Sequence, residues 1–297
     1  MAINLEPWIF YSLLSAVMFS ILNVMDKIVI QDLKNPIIPV TFTIIFNAVA
    51  GMIIFYLGKV SYLSAHNIVL AFIASILYIS MAVCYFKAIK IEEISRVIPF
   101  FLITPLFVAI LAAIFLGEKF GFLKYMGIFL IVAGSIFISY KGKKIGFGKA
   151  AIFMSAGSVF LAIDLVITKY LINSSDFLTV FAYTGIGCLI MIIPVFFMVK
   201  KNFIKELKKL KWKTGLIVFS ELWSVMASLV FYIAAFFGPL TLVDSLRSIQ
   251  PLFVLLFATL LSIFYPEVLK EEIGKKHLTL KAIAIILMVI GSYLIIK

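Results

Sequence analysis

TPLFVAILAAIFL, residues 104–116, and QPLFVLLFATLLS, residues 250–262, share the run Pro-Leu-Phe-Val, beginning at Pro105 and at Pro251, 146 residues apart. Each run sits inside a long apolar stretch. A second echo follows: Gly134-Ser135 after the first copy and Gly291-Ser292 after the second, 157 residues apart. In a chain of 297 residues these separations make the second half a repeat of the first, with extra residues in a late loop. Two matched halves in a membrane can rock about a site held between them, which is the architecture expected of a transporter.

The membrane itself follows from composition. Hydrophobic residues are 64% of the chain and charged residues 13%, where soluble domains carry about 45–50% and about 25%. Charges cluster at intervals of roughly twenty residues, the length that crosses a bilayer core. Reading between the clusters gives spans near 7–28, 37–57, 67–89, 95–116, 123–140, 150–172, 177–199, 214–237, 242–265 and 278–296. No period-two alternation marks a β-barrel, and a backbone in hydrocarbon must satisfy itself, so the spans are helices. The expected fold class is an all-α integral membrane protein of about ten transmembrane helices in two inverted five-helix repeats, 1–145 and 146–297. Inversion follows because five crossings are odd, so the second half enters from the opposite side. The linker 141–149 is short, which predicts one integrated domain. The N-terminus lacks a basic start and a small-residue cleavage site, so it reads as the first span and not as a signal peptide. Cys84 and Cys188 fall inside apolar spans and build no disulfide framework.

The net charge of +12 does not indicate nucleic acid, because the lysines sit in short loops. The richest segment, 200–213, carries seven lysines and reads as an interfacial segment against anionic headgroups. Loops after the odd-numbered spans hold 20 basic residues. The opposite side holds 6: Lys59, Lys119, Lys124, Lys169, Arg247 and Lys297. Taken alone, this bias puts both termini outside the cytoplasm.

Tyr85-Phe86-Lys87-Ala88-Ile89-Lys90, Ser95, the Pro-Leu-Phe-Val run, Leu116-Gly117-Glu118, Gly127 and Gly134 carry a resemblance. The second half shows it more loosely, with Tyr265-Pro266-Glu267 where a Leu-Gly-Glu would stand. The chain resembles the drug/metabolite transporter superfamily in its ten-helix, EamA-type branch. That resemblance implies a secondary transporter of the cytoplasmic membrane that exports amino acids, other small metabolites or drugs through a central cavity. It also implies cytoplasmic termini, against the charge count, so topology stays open between the two.

Polar residues inside spans are functional candidates because they are costly there. Glu221, Ser224, Ser228 and Tyr232 share one face of the eighth span, and Trp223 adds an aromatic lining. Asp164 shares a face with Gly157 and Thr168 in the sixth. Glu221 and Asp164 are the proton-coupling candidates; the alternatives are an acid near the headgroups for Glu221 and a buried acid hydrogen-bonded to a neighbouring helix for Asp164. Ser15 and Asn23 on the first span, and Tyr78 and Tyr85 on the third, are further cavity candidates. Asp26-Lys27 reads as a pair at the membrane interface. Asp244 and Arg247, three residues apart, can pair. With Gln250 they stand beside Pro251 as a grip for a zwitterion, or as an ion pair at the surface that caps the ninth helix. Glu118 reads as an end-cap partner of the fourth helix. Pro105 and Pro251 are matched helix breaks, either marking the binding region or only shaping packing.

No P-loop, zinc motif or nucleophile elbow is present, so no cofactor, metal or enzymatic activity is expected. The expected partners are a small-molecule substrate, the lipid bilayer and protons, with the oligomeric state open between a monomer and higher forms. Two alternatives stand beside the coupled carrier: an uncoupled facilitator of the same fold, and a membrane-embedded enzyme using Asp164 and Glu221.

Overall fold

The computed structural model describes residues 6–30, 32–58, 60–91, 100–139, 148–200, 203–210, 212–264 and 278–297. Among them every regular element is helical. In order these are α1 (Pro7–Ile30), α2 (Ile38–Tyr56), α3 (Ala65–Ile91), α4 (Thr104–Phe115), α5 (Phe122–Ser139), α6 (Lys149–Ser174), α7 (Phe177–Gly187), a 3₁₀ turn (Cys188–Met191), α8 (Ile192–Val199), α9 (Phe203–Leu210), α10 (Trp212–Phe237), α11 (Leu240–Arg247), α12 (Gln250–Phe264) and α13 (Leu278–Ile296). Among the described residues, seven stretches are long and apolar enough to cross a bilayer, and three shorter apolar helices occupy the fourth, fifth and tenth expected spans. Ser95 and Pro99 lie outside the described residues.

Prolines explain where the spans break. In the seventh span the helix tightens to a 3₁₀ turn at Cys188–Met191, one turn before Pro194. Proline offers no N–H and its ring crowds the carbonyl four residues back. The ninth span begins at Leu240, with Pro239 as the residue before it, and breaks again at residues 248–249 ahead of Pro251. Pro105 sits in the same relation to α4, two turn residues after Phe101. Carbonyls beside these breaks take hydroxyl donors from other helices. Ser20 of α1 donates to the Gln250 carbonyl at 3.0 Å and Ser135 of α5 to the Ser248 carbonyl at 2.6 Å. Such partners make irregular backbone tolerable at membrane depth.

The most extensive packing joins α5 to α13, α3 to α6, α1 to α10, α2 to α7, α4 to α6 and α12 to α1. Each of these pairs links an element before residue 145 to one after it. Close crossings use small residues. A Cβ on Gly127 would stand 2.7 Å from the Gly291 carbonyl oxygen, and one on Gly134 would stand 2.8 Å from that of Ala284. Gly51 and Gly185 bring α2 and α7 together in the same way.

The lysine-rich segment forms α9, docked beside the bilayer-spanning helices. Leu210 is buried while Lys205 and Lys208 are exposed, and Phe203 stacks on Phe42 with centroids 6.2 Å apart. Glu206 accepts from the backbone N–H groups of Lys34 and Asn35 at 2.9 and 3.0 Å, tying α9 to the α1–α2 connection.

Candidate functional site

Between the halves lies a cavity of about 300 Å³. Its walls come from the middles of α1, α2, α3, α6, α7 and α10, and from the breaks ahead of α4 and α12. Two apolar clusters flank it. One gathers Trp8, Ala112, Ala235 and Leu240; the other gathers Leu33, Ile38, Met154 and Val199.

Three carboxyl groups line the space: Asp26, Asp164 and Glu221. Glu221, 4% exposed, accepts a hydrogen bond from the Thr43 hydroxyl at 2.9 Å. Asp164 accepts from Thr168 one turn along α6, at 3.3 Å. Asp26 lines the cavity with no hydrogen-bond or ion-pair partner among the described residues. The expected interfacial placement of Asp26 is therefore corrected: it faces the interior.

Arg247 is the basic group of this lining. Its Nε and Nη2 donate to one oxygen of Asp244 at 3.1 and 2.5 Å. The guanidinium lies 5.5 Å from the Phe19 ring centroid and 4.9 Å from that of Phe231. Asp244 is fully buried, so the pair is an internal one and not the surface pair that was an open reading. An arginine held this way fixes the α11 end of the break, because its fork is matched to a carboxylate and its faces to aromatic rings.

Asn23, Tyr78, Tyr85, Ser224, Ser228, Tyr232, Gln250 and Pro251 complete the expected residues on the lining. Tyr232 and Thr184 exchange a hydroxyl hydrogen bond at 3.1 Å, and Gln250 donates to the Phe19 carbonyl at 3.2 Å. Ser15, Trp223 and Pro105 are placed elsewhere. Ser15 is fully buried and donates to the Ser12 carbonyl at 2.8 Å. The Trp223 indole donates to the Met18 carbonyl at 2.8 Å, pinning α10 to α1. Pro105 is buried at the second position of α4.

Residues 6–140 match the EamA-like transporter family. A curated relative from Sinorhizobium sp, an "Uncharacterized transporter in cobO 3'region", is 24% identical over 137 residues, 45% of this chain and 97% of that protein. A solved crystal structure superposes with a TM-score of 0.72 at 14% identity, over 98% of each chain, which shows a shared fold. The first half is similar to an EamA-like transporter domain. With the apolar helices, this match marks an integral membrane protein whose likeness is to transporters.

The EamA-like half ends its fourth span in Leu116-Gly117-Glu118, and the geometry shows what that triplet does. Gly117 takes φ +69°, a left-handed turn that closes α4. Glu118 then accepts from the N–H groups of Leu240 and Thr241 at 2.7 and 2.9 Å. It caps α11, in the other half, and not its own helix as expected. Across the same junction Lys169 is buried and donates to the carbonyls of Ala235 and Gly238 at the end of α10. An acid at one helix start and a base at the other helix end match both dipoles. Lys169 and Arg247 therefore leave the surface charge tally, where the sequence count had put them.

Sequence reasoning passed over Thr43 and Asn47 on α2, and Thr184 and Cys188 on α7, all on the lining. Thr43 and Asn47 are one turn apart in a span otherwise almost wholly apolar. That spacing was the available signal.

Proposed function

We propose that the protein is a secondary transporter of the cytoplasmic membrane that moves a small polar or amphipathic metabolite by alternating access. The halves, 1–145 and 146–297, are inverted five-helix repeats, and the substrate sits in the cavity between them. The observation that carries this reading is the mid-span cavity itself, walled by both halves and bordered by two helix breaks, since interrupted helices at a repeat interface form transport sites.

The helix pairing supports the repeat. Exchanging the first half for the second maps α1–α10 onto α6–α3, and α4–α6 onto α12–α1. The 157-residue offset between Gly134 and Gly291 also sends Gly127 to Ala284, so the two helix crossings of α5 with α13 exchange with each other. The half-length relative supports it as well, because nearly all of that protein matches less than half of this chain. Export of amino acids or drug-like compounds is the direction and class that the family resemblance implies.

Glu221 and Asp164 are the proton carriers in this mechanism. Each is a cavity acid held by one threonine hydroxyl, so it can change charge without breaking an ion pair. Uptake into proteoliposomes of a labelled panel of amino acids, nucleosides and cationic drugs, with and without a pH gradient, tests the whole reading. Saturable uptake raised by the gradient is expected. Glu221→Gln should abolish the response to the gradient while leaving exchange. Saturable uptake indifferent to the gradient in wild type would make the protein a facilitator. Absence of uptake for every compound, in folded protein, would overturn transport through this cavity.

A further inference from the structure

Asp26, Tyr85 and Glu221 stand together at one end of the cavity, and their hydrogen-bonding capacity is unbalanced. Tyr85 is 9% exposed, and its hydroxyl has no partner among the described residues. The Asp26 carboxylate has none either, and Glu221 receives one donor, from Thr43. All three line the same cavity, and Val29 and Ile217, about one turn from Asp26 and Glu221 on the same helices, share one buried apolar cluster with Tyr85, which places the three near one another. Acceptors thus outnumber donors on this part of the lining, which suits a ligand that brings donors.

We propose that this end of the cavity binds the ammonium group of an organic amine, with the amine's apolar body against the aromatic wall. The proposal rests on reading the cavity as the transport site. An ammonium group brings three donors and no acceptor, which is the complement of two carboxylates and a hydroxyl. Its charge relieves the repulsion between Asp26 and Glu221. The surrounding rings suit a cation as well. Phe86 and Phe101 lie 5.2 and 6.0 Å from the Tyr85 ring, centroid to centroid, and aromatic faces attract cations. An anion would face three carboxyl groups. Arg247 is a poor counter-charge for it, because two of its donors are already given to Asp244 and two aromatic rings lie near the guanidinium.

A charge series built on one body tests this: 2-phenylethylamine, phenylalanine, 2-phenylethanol and phenylacetate, titrated calorimetrically into the full-length protein in lipid nanodiscs. The amine should bind at least about tenfold more tightly than the other three, the scale of a charge-assisted hydrogen bond. Asp26→Asn should erase that preference, and Tyr85→Phe should weaken amine binding a few-fold while sparing 2-phenylethanol. Phenylalanine or phenylacetate binding as well as the amine would overturn the proposal. So would a folded Asp26→Asn protein with wild-type preference, or no binding of the amine. If the variants do not fold, the wild-type series decides alone. Proteoliposome uptake separates the two readings. An amine that binds but never crosses keeps the cation site and sinks transport. Uptake of another class without amine preference keeps transport and sinks the cation site.

Discussion

The break ahead of Pro105 and the break ahead of Pro251 have the same backbone and different chemistry. In each, a helix ends, two turn residues follow, and the proline enters at the second position of the next helix. The closing bonds match: Leu106 N–H to the Ile103 carbonyl at 3.0 Å, and Leu252 N–H to the Ile249 carbonyl at 2.9 Å. The first break shows Phe101, Leu102 and Thr104 to the cavity, and the second shows Arg247, Ser248 and Gln250. The missing N–H of proline dictates the backbone, so any repeat that keeps the proline keeps the break. Side chains facing a cavity are free of that constraint. The position of Arg247 corresponds, at the 146-residue offset, to Phe101. The two halves therefore share a frame, while one of them supplies the ion pair.

The largest way to break this comparison is at that pair. Arg247→Leu leaves Asp244 fully buried without its counter-ion, and should cost about 3–5 kcal/mol. Phe101→Leu, at the matching place, should cost far less. Thermal unfolding in detergent checks both. Asp244→Leu combined with Arg247→Leu should recover most of the loss, and a double variant as unstable as the single one would show that the pair is not the cause. Next in size is the shared frame. Gly127→Val drives a side chain into the Gly291 carbonyl and should cost about 1–3 kcal/mol. Ala284→Val, at the corresponding position, should cost a comparable amount if the repeat is real, and very unequal losses would argue against it. The smallest effect belongs to the hydroxyls that serve the breaks. Ser135→Ala removes the bond to the Ser248 carbonyl, and should cost about 0.6 kcal/mol, the average for such bonds between membrane helices.

A cavity-facing stripe is legible in the sequence where one helix carries its own pattern. Glu221, Ser224, Ser228 and Tyr232 recur at helical spacing, and all four reach the cavity. Sequence pattern misleads where the partner lies on another helix. Asp26 followed by Lys27 looks like an interfacial pair until α1 is seen against α10. Trp223 is adjacent in sequence to Ser224, a lining residue, yet its indole is committed to the Met18 carbonyl. Lys169 looks like a loop charge because its two carbonyl partners are 66 and 69 residues away.

By itself the sequence determined the membrane class, the approximate spans and the places of the breaks. These depend on hydrophobicity, span length and proline chemistry, all local along the chain. Tertiary structure alone decided which acids face the cavity, that Glu118 and Lys169 hold the α10–α11 junction, and that Asp244 holds Arg247 inside. A helix fixes which of its residues share a face, but only packing against neighbours from the other half fixes where that face points.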